Sequence, residues 1–237
     1  MSAGPRRIAI VPARSGSKRI PLKNIRDFCG RPMLSYILET ARLSGLFDIV
    51  HVSTDSPEIM RVAAEWGAPP DFARPAELAD DMTPLIPVLQ WTLAEYDRRG
   101  QTFDEAWLLM ACAPLLLPDH LIAMARRMEA LGESAQALLA VAPFPAPVER
   151  GFKRLPDGKL EPVDAVLFQK RSQDLQVTYH DAGVVDVYRA KTLLDAQPAN
   201  WASLYHGHVL PRSAAVDIDT EEDWRFAEAL YRGLRTA

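Results

Sequence analysis

The sequence predicts an α/β protein whose sheet is parallel and doubly wound, with helices on both faces. Over the first 140 residues, short apolar runs that end at turn residues alternate with amphipathic stretches. Such apolar runs are typical of buried parallel strands, and the stretches between them are typical of helices packed on a sheet. The predicted strands lie at residues 8–13, 49–53, 106–111 and 135–142, and the predicted helices at 33–43, 57–66, 84–98 and 118–131.

The alternation stops at Pro143. Pro143 is the first of five prolines within twenty residues, and Pro156-Asp157-Gly158-Lys159 is typical of a hairpin turn. We therefore interpret residues 143–178 as an insertion that forms a small antiparallel excursion. The sheet is expected to resume at 183–188. The last helix is expected to begin at Thr220, because three acidic residues follow it, as the helix dipole favours.

Length and composition limit the classes of function. The 237 residues suffice for a single α/β domain, 1–237, and a hydrophobic content of 48% can fill a sizeable core. The net charge of −4 gives no sign of a nucleic acid or an anionic membrane as a partner, and no run of 18 apolar residues predicts a membrane span. Cys29 and Cys112 cannot form a disulfide framework or a zinc site, so we expect a reducing, cytoplasmic location.

The segment after the first predicted strand concentrates positive charge. Small residues at 15–17 let a ligand approach the backbone N–H groups, and four cations surround them: Arg14, Lys18, Arg19 and Lys23. Because open α/β sheets bind ligands at the carboxyl ends of their strands, this pattern predicts a polyphosphate site. The spacing fits neither the Walker motif nor the three-glycine dinucleotide fingerprint. The alternative is a solvated basic loop.

A second pattern is Asp217-Ile218-Asp219. In an extended backbone both carboxylates point to the same side, and Ile218 points to the other. Two carboxylates on one side can hold Mg²⁺, which prefers oxygen ligands and accompanies nucleoside triphosphates. The alternative is that Asp219 or Thr220 only caps the last helix.

Three further features allow more than one interpretation. Between Arg171 and Gly183, His180 stands beside Asp181, and the two can serve as a general-base pair, as a wall that selects a polyol substrate, or only as loop polarity. Residues 74–81, taken alone, predict a charged loop. Cys112 ends a predicted strand, where a buried small side chain is favoured over a nucleophile.

Three segments together resemble the signature of the acylneuraminate cytidylyltransferases, the CMP-sialic acid synthetases. They are Pro-Ala-Arg-x-Gly-Ser-Lys-Arg-Ile-Pro-x-Lys-Asn at 12–24, Arg-Pro-Ala-Glu-Leu-Ala-Asp-Asp at 74–81 and Asp-Ile-Asp-Thr-Glu-x-Asp at 217–223. Their order and spacing agree over nearly the whole chain. Lys-Arg-Ser-Gln-Asp-Leu at 170–175 and Tyr-His-Asp-Ala-Gly at 179–183 are most similar to the pseudaminic acid cytidylyltransferase branch.

The resemblance implies a GT-A-like (Rossmann-like) nucleotidyltransferase fold with a mostly parallel sheet, in which 143–178 is a dimerisation insertion. It implies a homodimeric enzyme that uses Mg²⁺ and transfers CMP from CTP to the anomeric hydroxyl of a nine-carbon α-keto acid sugar, pseudaminic acid, with release of pyrophosphate. Rival acceptors are N-acetylneuraminate, legionaminate and 3-deoxy-manno-octulosonate. A catalytically silent nucleotide-binding module is disfavoured, because such a module needs no metal pair.

The resemblance also implies roles for individual residues. The implied catalytic cations are Lys23, Arg14 and Lys18, and the implied metal ligands are Asp217 and Asp219. The implied nucleotide-binding residues, of which the last three hold the cytosine, are Ala13, Arg14, Ser15, Gly16, Ser17, Lys18, Lys23, Asn24, Arg74 and Thr83. The implied sugar-binding residues are Arg171, Gln173, Tyr179, His180 and Asp181. The chain departs from the family after Gly183, where Val184-Val185-Asp186-Val187-Tyr188 stands in place of the usual aromatic pair.

Overall fold

The structure, a computed structural model, describes residues 4–14, 16–17, 19–80, 82–195 and 203–236. Its strands are β1 (Arg7–Pro12), β2 (Asp27–Phe28), β3 (Arg31–Pro32), β4 (Ile49–Ser53), β5 (Glu105–Leu109), β6 (Ala137–Pro143), β7 (Phe152–Arg154), β8 (Leu160–Pro162), β9 (Tyr179–Arg189) and β10 (Tyr205–Val209). Its helices are α1 (Met33–Ser44), α2 (Pro57–Glu65), α3 (Leu85–Arg98), α4 (Pro118–Leu131), α5 (Ala190–Asp195) and α6 (Glu221–Thr236). Within the described ranges, every helix is too short or too polar to span a bilayer.

In the described part of the chain, six strands form the central sheet, in the order β10-β6-β9-β5-β1-β4. β1 is parallel to both β4 and β5, and β10 is parallel to β6. The predicted strands and helices of the first 140 residues are present, with end points that differ by a few residues. The mostly parallel sheet is thus confirmed.

β9 differs from the prediction in its direction and its length. It begins at Tyr179 rather than at 183, and it runs antiparallel to both β5 and β6. The reason is geometric, since the chain leaves β6 at Pro143 and returns beside it, where the N–H of Phe144 donates to the carbonyl of Thr178 at 3.1 Å. A parallel strand would need a crossover to the opposite end of the sheet.

The sheet has one strand more than the sequence predicts. β10 pairs with β6 alone and stands at the sheet edge. Its sequence, Tyr-His-Gly-His-Val, lacks the apolar run that marks the central strands. Tertiary pairing therefore sets this strand, rather than local preference.

Helices cover both faces of the sheet. On one face α1, α2 and α4 bury residues such as Ile37, Ile59 and Met124 against the strands. On the other face α3 and α5 bury Leu89 and Leu193. The sheet is therefore closed on both faces, and ligands must enter at the ends of its strands.

A third, smaller cluster joins the two ends of the chain. Trp224 of α6 packs with Ile218, with Ile20 from the opening loop, and with Phe28. The Trp224 and Phe28 rings lie 5.5 Å apart. This contact brings the acidic segment near 217–219 up to the basic loop, although almost two hundred residues separate them.

Residues 144–178 leave the sheet and contain the β7–β8 hairpin. The turn falls at the predicted position, where the N–H of Gly158 donates to the carbonyl of Leu155 at 2.9 Å. Gly158 has a φ of +88°, which an L side chain rarely adopts. The Phe152 and Phe168 rings lie 5.1 Å apart, so the segment has contacts of its own.

Candidate active site

The carboxyl ends of β1 and β5 open into a cavity of about 270 Å³. Residues from distant parts of the chain line it together. The members that the sequence singled out are Arg14, Ser17, Arg19, Lys23, Asn24, Arg74, Thr83, Cys112 and Asp219. Ser15 and Lys18 lie outside the described residues.

The opening loop is held by its own polar side chains. Asn24 is buried and donates a hydrogen bond from Nδ2 to the carbonyl of Arg14 at 3.0 Å. Lys23 crosses to the late segment, where Nζ donates to the carbonyl of Ile218 at 2.6 Å and lies 3.4 Å from the Asp219 carboxylate. Ala13 is fully buried, and its N–H donates to the carbonyl of Ser53 at 2.9 Å. Gly16 lies at the exposed part of the loop.

Segment 74–83 faces this loop. Arg14 donates from Nη1 to the carbonyl of Asp80 at 3.0 Å. The Asp80 carboxylate accepts hydrogen bonds from the Thr83 hydroxyl at 2.7 Å and from the Thr83 N–H at 2.6 Å. The hydrogen bond from the Thr83 hydroxyl is the main reason why the pKa of Asp80 lies below its usual value. The segment that would be a charged loop by itself therefore forms a wall of the cavity.

Arg74 is a buried cation, and some of its N–H donors have no hydrogen-bond partner among the described residues. Its exposure is 5%, and its Nε and Nη2 have no hydrogen-bond partner among the described residues. Burial lowers the pKa of Arg74, and the Asp55 carboxylate partly opposes this effect. A guanidinium donor left unpaired in a buried position costs free energy, so the geometry favours a ligand with acceptor atoms at this place.

The acidic segment places its two carboxylates as the alternation predicts. Ile218 is fully buried, whereas Asp217 and Asp219 line cavities. The Asp219 carboxylate forms an ion pair with Arg19, whose Nη1 lies 2.9 Å away. Burial raises the pKa of Asp217, and the Asp219 carboxylate raises it further.

Of the two residues expected as possible helix caps, Thr220 caps α6, together with Asp223. The Thr220 hydroxyl accepts a hydrogen bond from the N–H of Asp223 at 3.2 Å, and the Asp223 carboxylate accepts from the N–H of Thr220 at 2.8 Å. This reciprocal pair is the capping arrangement of α6. It leaves the Asp219 carboxylate directed at cations rather than at the helix.

The carboxylate oxygens of Asp217 and Asp219 suit a divalent cation whose remaining ligands are water or phosphate oxygens. No group of three or more His, Cys, Asp or Glu suited to a metal occurs in the described part of the chain. Mg²⁺ is normally held by one or two carboxylates, with water and phosphate oxygens completing its shell. Asp217 and Asp219 meet that requirement at the edge of the proposed phosphate site.

A second cavity of about 230 Å³ adjoins the first and shares Lys23 and Asp219 with it. Asp181, Gly183 and Asp217 add to its lining. Gly183 has a φ of +64°, and a Cβ there would lie 3.4 Å from the Asp217 carboxylate. Glycine therefore permits both the backbone conformation and the close approach of the acidic segment.

The structure does not bring the other predicted sugar-binding residues to these cavities. Arg171 is exposed and pairs with Asp174 at 2.8 Å, and Gln173 is exposed on the same turn. Tyr179 is 47% exposed at the start of β9. His180 packs against the Phe144 ring at 5.0 Å, and among the described residues these four line neither cavity.

His180 and Asp181 do not form the general-base pair that their adjacency allows. The His180 Nδ1 lies 2.7 Å from the backbone carbonyl of Asp181, not from its carboxylate. The Asp181 carboxylate instead accepts from the N–H of Gly183 at 2.8 Å. Cys112 is 4% exposed, and burial raises the pKa of its thiol, so it is the buried small side chain that was expected rather than a nucleophile.

Asp186 is an acidic cavity residue to which the sequence analysis assigned no role. It lines the second cavity together with Asp181 and Asp217. The signal was present, because a carboxylate interrupts an apolar strand, but only the structure shows which face of β9 it occupies.

Comparison with known proteins identifies the family. The family described as Cytidylyltransferase matches residues 8–212. The chain belongs to the cytidylyltransferase family. It is therefore a nucleotidyltransferase. A pseudaminic acid cytidylyltransferase of Campylobacter jejuni is 37% identical to this chain, over 95% of this chain and 96% of that protein.

Further similarities extend across the family. A CMP-N,N'-diacetyllegionaminic acid synthase of Legionella pneumophila is 28% identical over 94% of this chain and 95% of that protein. Among solved structures, a CMP:2-keto-3-deoxy-manno-octonic acid synthetase complexed with CTP superposes with a TM-score of 0.70 at 16% identity, covering 97% of this chain and 99% of that one. At that identity the likeness concerns the fold, which agrees with the GT-A-like nucleotidyltransferase architecture.

Proposed function

We propose that this enzyme transfers CMP from CTP to the anomeric hydroxyl of pseudaminic acid and releases pyrophosphate. The observation that carries the proposal is the pair of adjoining cavities that meet at Lys23 and Asp219. One cavity has the unpaired donors of a buried cation, and the other is lined by carboxylates. Two different substrates, of which one is polyanionic, suit such a pair of cavities.

The first cavity is proposed to hold CTP. Arg74 would direct its unpaired Nε and Nη2 at acceptor atoms of the cytosine, and Asn24 and Thr83 would complete the base site. Arg14, Lys18 and the backbone N–H groups of residues 14–18 would neutralise the β- and γ-phosphates as they leave. Most of the rate enhancement in such a transfer comes from positioning and charge neutralisation.

Lys23 is proposed to contact the α-phosphate at the junction of the cavities. Its side chain is 17% exposed and is already oriented by the Ile218 carbonyl. A preoriented cation at the reacting phosphorus stabilises the charge that develops in the transition state without reorganising.

Asp217 and Asp219 are proposed to hold Mg²⁺. When bound there, the ion would supply a Lewis acid that polarises the phosphate and lowers the pKa of the attacking hydroxyl. Arg19 and Lys23 form ion pairs with the Asp219 carboxylate beside this site.

A homodimer is proposed from the surface of the insertion. Residues 144–178 expose apolar side chains that a single chain leaves in water: Phe152 at 47%, Leu160 at 59%, Val177 at 62% and Val166 at 76%. Apolar clusters of this kind mark protein interfaces. The second cavity, called the acceptor cavity from here on, is proposed to hold the sugar. In a dimer that exchanges the insertion segments, Arg171 and Gln173 would reach the acceptor cavity of the partner. Since the proposed donor CTP is an intracellular nucleotide, we place the enzyme in the cytoplasm.

Complementation between two inactive variants tests the exchanged site. A Lys23→Ala chain and an Arg171→Ala chain are mixed in the unfolded state and refolded together. Pyrophosphate release by the mixture is then compared with that of each variant alone. If Arg171 serves the partner's site, mixed dimers regain one intact site and show activity that neither parent has. Activity no greater than the parents' sum would count against exchange, and light scattering reports the dimer independently.

The substrate proposal is tested by pyrophosphate release from CTP with a panel of acids. The panel contains pseudaminic, N-acetylneuraminic and legionaminic acids and 3-deoxy-manno-octulosonic acid. The highest kcat/KM is expected with pseudaminic acid. A preference for another acid would reassign the acceptor, and no release with any of them would favour a silent nucleotide-binding module.

A further inference from the structure

Asp186 lies in the part of β9 that pairs regularly with both neighbouring strands, opposite Leu108 of β5 and Leu139 of β6. The register of β9 against β6 shifts only beyond this point, because Val141 pairs with Asp181. Asp186 lines the same cavity as Lys23 and Asp217.

The Asp186 carboxylate is held on one oxygen only. The hydroxyl of Tyr188 donates to Oδ2 at 2.9 Å, and the Tyr188 and Tyr205 hydroxyl oxygens lie 3.0 Å apart. With the described residues, the Asp186 side chain makes no other hydrogen bond. Its Oδ1 is therefore available to an occupant of the cavity.

The rest of this part of the cavity is apolar. Leu85, Leu108, Met110 and Val185 line it beside Asp186. Burial raises the pKa of Asp186 to about 7, and the Asp181 carboxylate adds to the effect. A valine, like its neighbours in β9, would fill this position without the cost of desolvating a carboxylate, so the acid points to a function in binding.

We propose that Asp186 selects the acceptor by accepting a hydrogen bond from the N–H of an acylamido substituent on the sugar. An acylamido group combines an N–H donor with an apolar methyl group, and this cavity offers a carboxylate beside apolar side chains. A hydroxyl would satisfy Asp186 but leave the apolar walls unfilled. The sugar's own carboxylate is unsuited to this place, since Asp181, Asp186 and Asp217 would repel it. The inference rests on the proposed cytidylyl transfer.

The test compares Asp186→Leu, Asp186→Asn and Tyr188→Phe with the unmodified enzyme. The acceptors are the acylated nine-carbon acid that the enzyme uses best and analogues with a hydroxyl in place of one acylamido group. Asp186→Leu should raise the acceptor KM roughly 10- to 100-fold, as expected when a buried N–H donor of the ligand loses its partner, with the KM for CTP within about twofold. Asp186→Asn keeps an acceptor oxygen and should recover part of the loss.

Selectivity separates recognition from a structural role. For the unmodified enzyme, one hydroxyl analogue should have a lower kcat/KM than the acylated acid, and Asp186→Leu should narrow that ratio. Tyr188→Phe breaks the hydrogen bond between the two side chains without removing the carboxylate, and should leave the ratio unchanged. An unchanged acceptor KM and ratio in Asp186→Leu would overturn the proposal while cytidylyl transfer stands. If the unmodified enzyme uses no acid of the panel, both proposals fail.

Discussion

The two ends of the central sheet carry the same types of charged residue but satisfy them differently. At the amino end of β1, Glu105 is fully buried and forms ion pairs with Arg7 and Arg189. Its carboxylate oxygens lie 2.8 Å from Arg7 Nε and 2.8 Å from Arg189 Nη1. At the carboxyl end, Arg74 is also buried, yet its Nε and Nη2 have no partner among the described residues. Nearby, burial raises the pKa values of Asp186 and Asp217.

This difference separates structural from functional charges. The Glu105 cluster is neutralised by the chain itself, so it stabilises the fold only as long as all partners are present. The carboxyl end of the sheet retains charged groups without partners in the chain, and bound substrates can supply those partners. Variants at the two ends should therefore affect different properties.

Breaking the ion pairs of Glu105 at the amino end of β1 should give the largest effect on stability. Glu105→Gln removes the charge that pairs with Arg7 and Arg189, and we expect the free energy of unfolding to fall by about 3–5 kcal/mol. Urea unfolding measures the loss. At a temperature where the variant stays folded, its KM for CTP should match that of the unmodified enzyme. A large change in that KM would break the separation between the two ends.

Lys23→Ala should give the largest effect on turnover. Loss of a preoriented cation at the α-phosphate should lower kcat roughly 10²- to 10³-fold, while the unfolding midpoint stays close to that of the unmodified enzyme. Steady-state pyrophosphate release measures kcat. Lys159→Ala, on the exposed hairpin turn, is the matched control, and a Lys23 variant with unmodified kcat would refute its assigned role.

Arg74→Met should separate binding from stability. The substitution removes unpaired buried donors, so the KM for CTP should rise roughly 10- to 100-fold without a loss in the free energy of unfolding. Titration calorimetry with CTP checks the affinity, and thermal unfolding checks the stability. Arg61→Met removes an exposed helical ion pair and serves as control. If Arg74→Met unfolds as readily as Glu105→Gln, its guanidinium is a structural charge.

Asp219→Asn should raise the concentration of Mg²⁺ needed for half-maximal activity. The amide is a weaker ligand than the carboxylate for a hard cation. Glu221→Gln is the control, because Glu221 is a nearby acid that pairs with Arg26 on the surface. Equal magnesium dependence in the two variants would remove the acidic pair from the proposed metal site.

The smallest effect concerns pH and Asp186. A carboxyl whose pKa is raised by folding binds more protons in the folded state, so its contribution to stability is greatest at low pH and is lost as pH rises from about 4 to about 7. Asp186→Asn removes this dependence. Relative to the unmodified enzyme, the variant should gain on the order of 1 kcal/mol between pH 5 and pH 8 in urea unfolding. An equal difference at both values would contradict the raised pKa.

Much of the fold and half of the site could be predicted from the sequence. The strands of the first 140 residues, the hairpin at 156–159 and the Asp217–Ile218–Asp219 alternation depend on neighbouring residues, so local patterns suffice. Arg171 and Gln173 could not be placed in this way, because their contacts depend on where the insertion lies. The direction of β9 also depends on the path of the chain between two strands rather than on its own residues.

By itself, the sequence determined the chemistry that is available: a small-residue turn with cations, a pair of carboxylates and an acid within an apolar strand. These properties follow from side-chain type and from periodicities of two and 3.6 residues. Only the tertiary structure decided which of these groups meet. Packing of Trp224 with Ile20 and Ile218 brings Lys23 to Asp219, and the pairing of β9 with β5 and β6 places Asp186 at the acceptor cavity. Both depend on contacts between residues far apart in the chain, which local patterns do not encode.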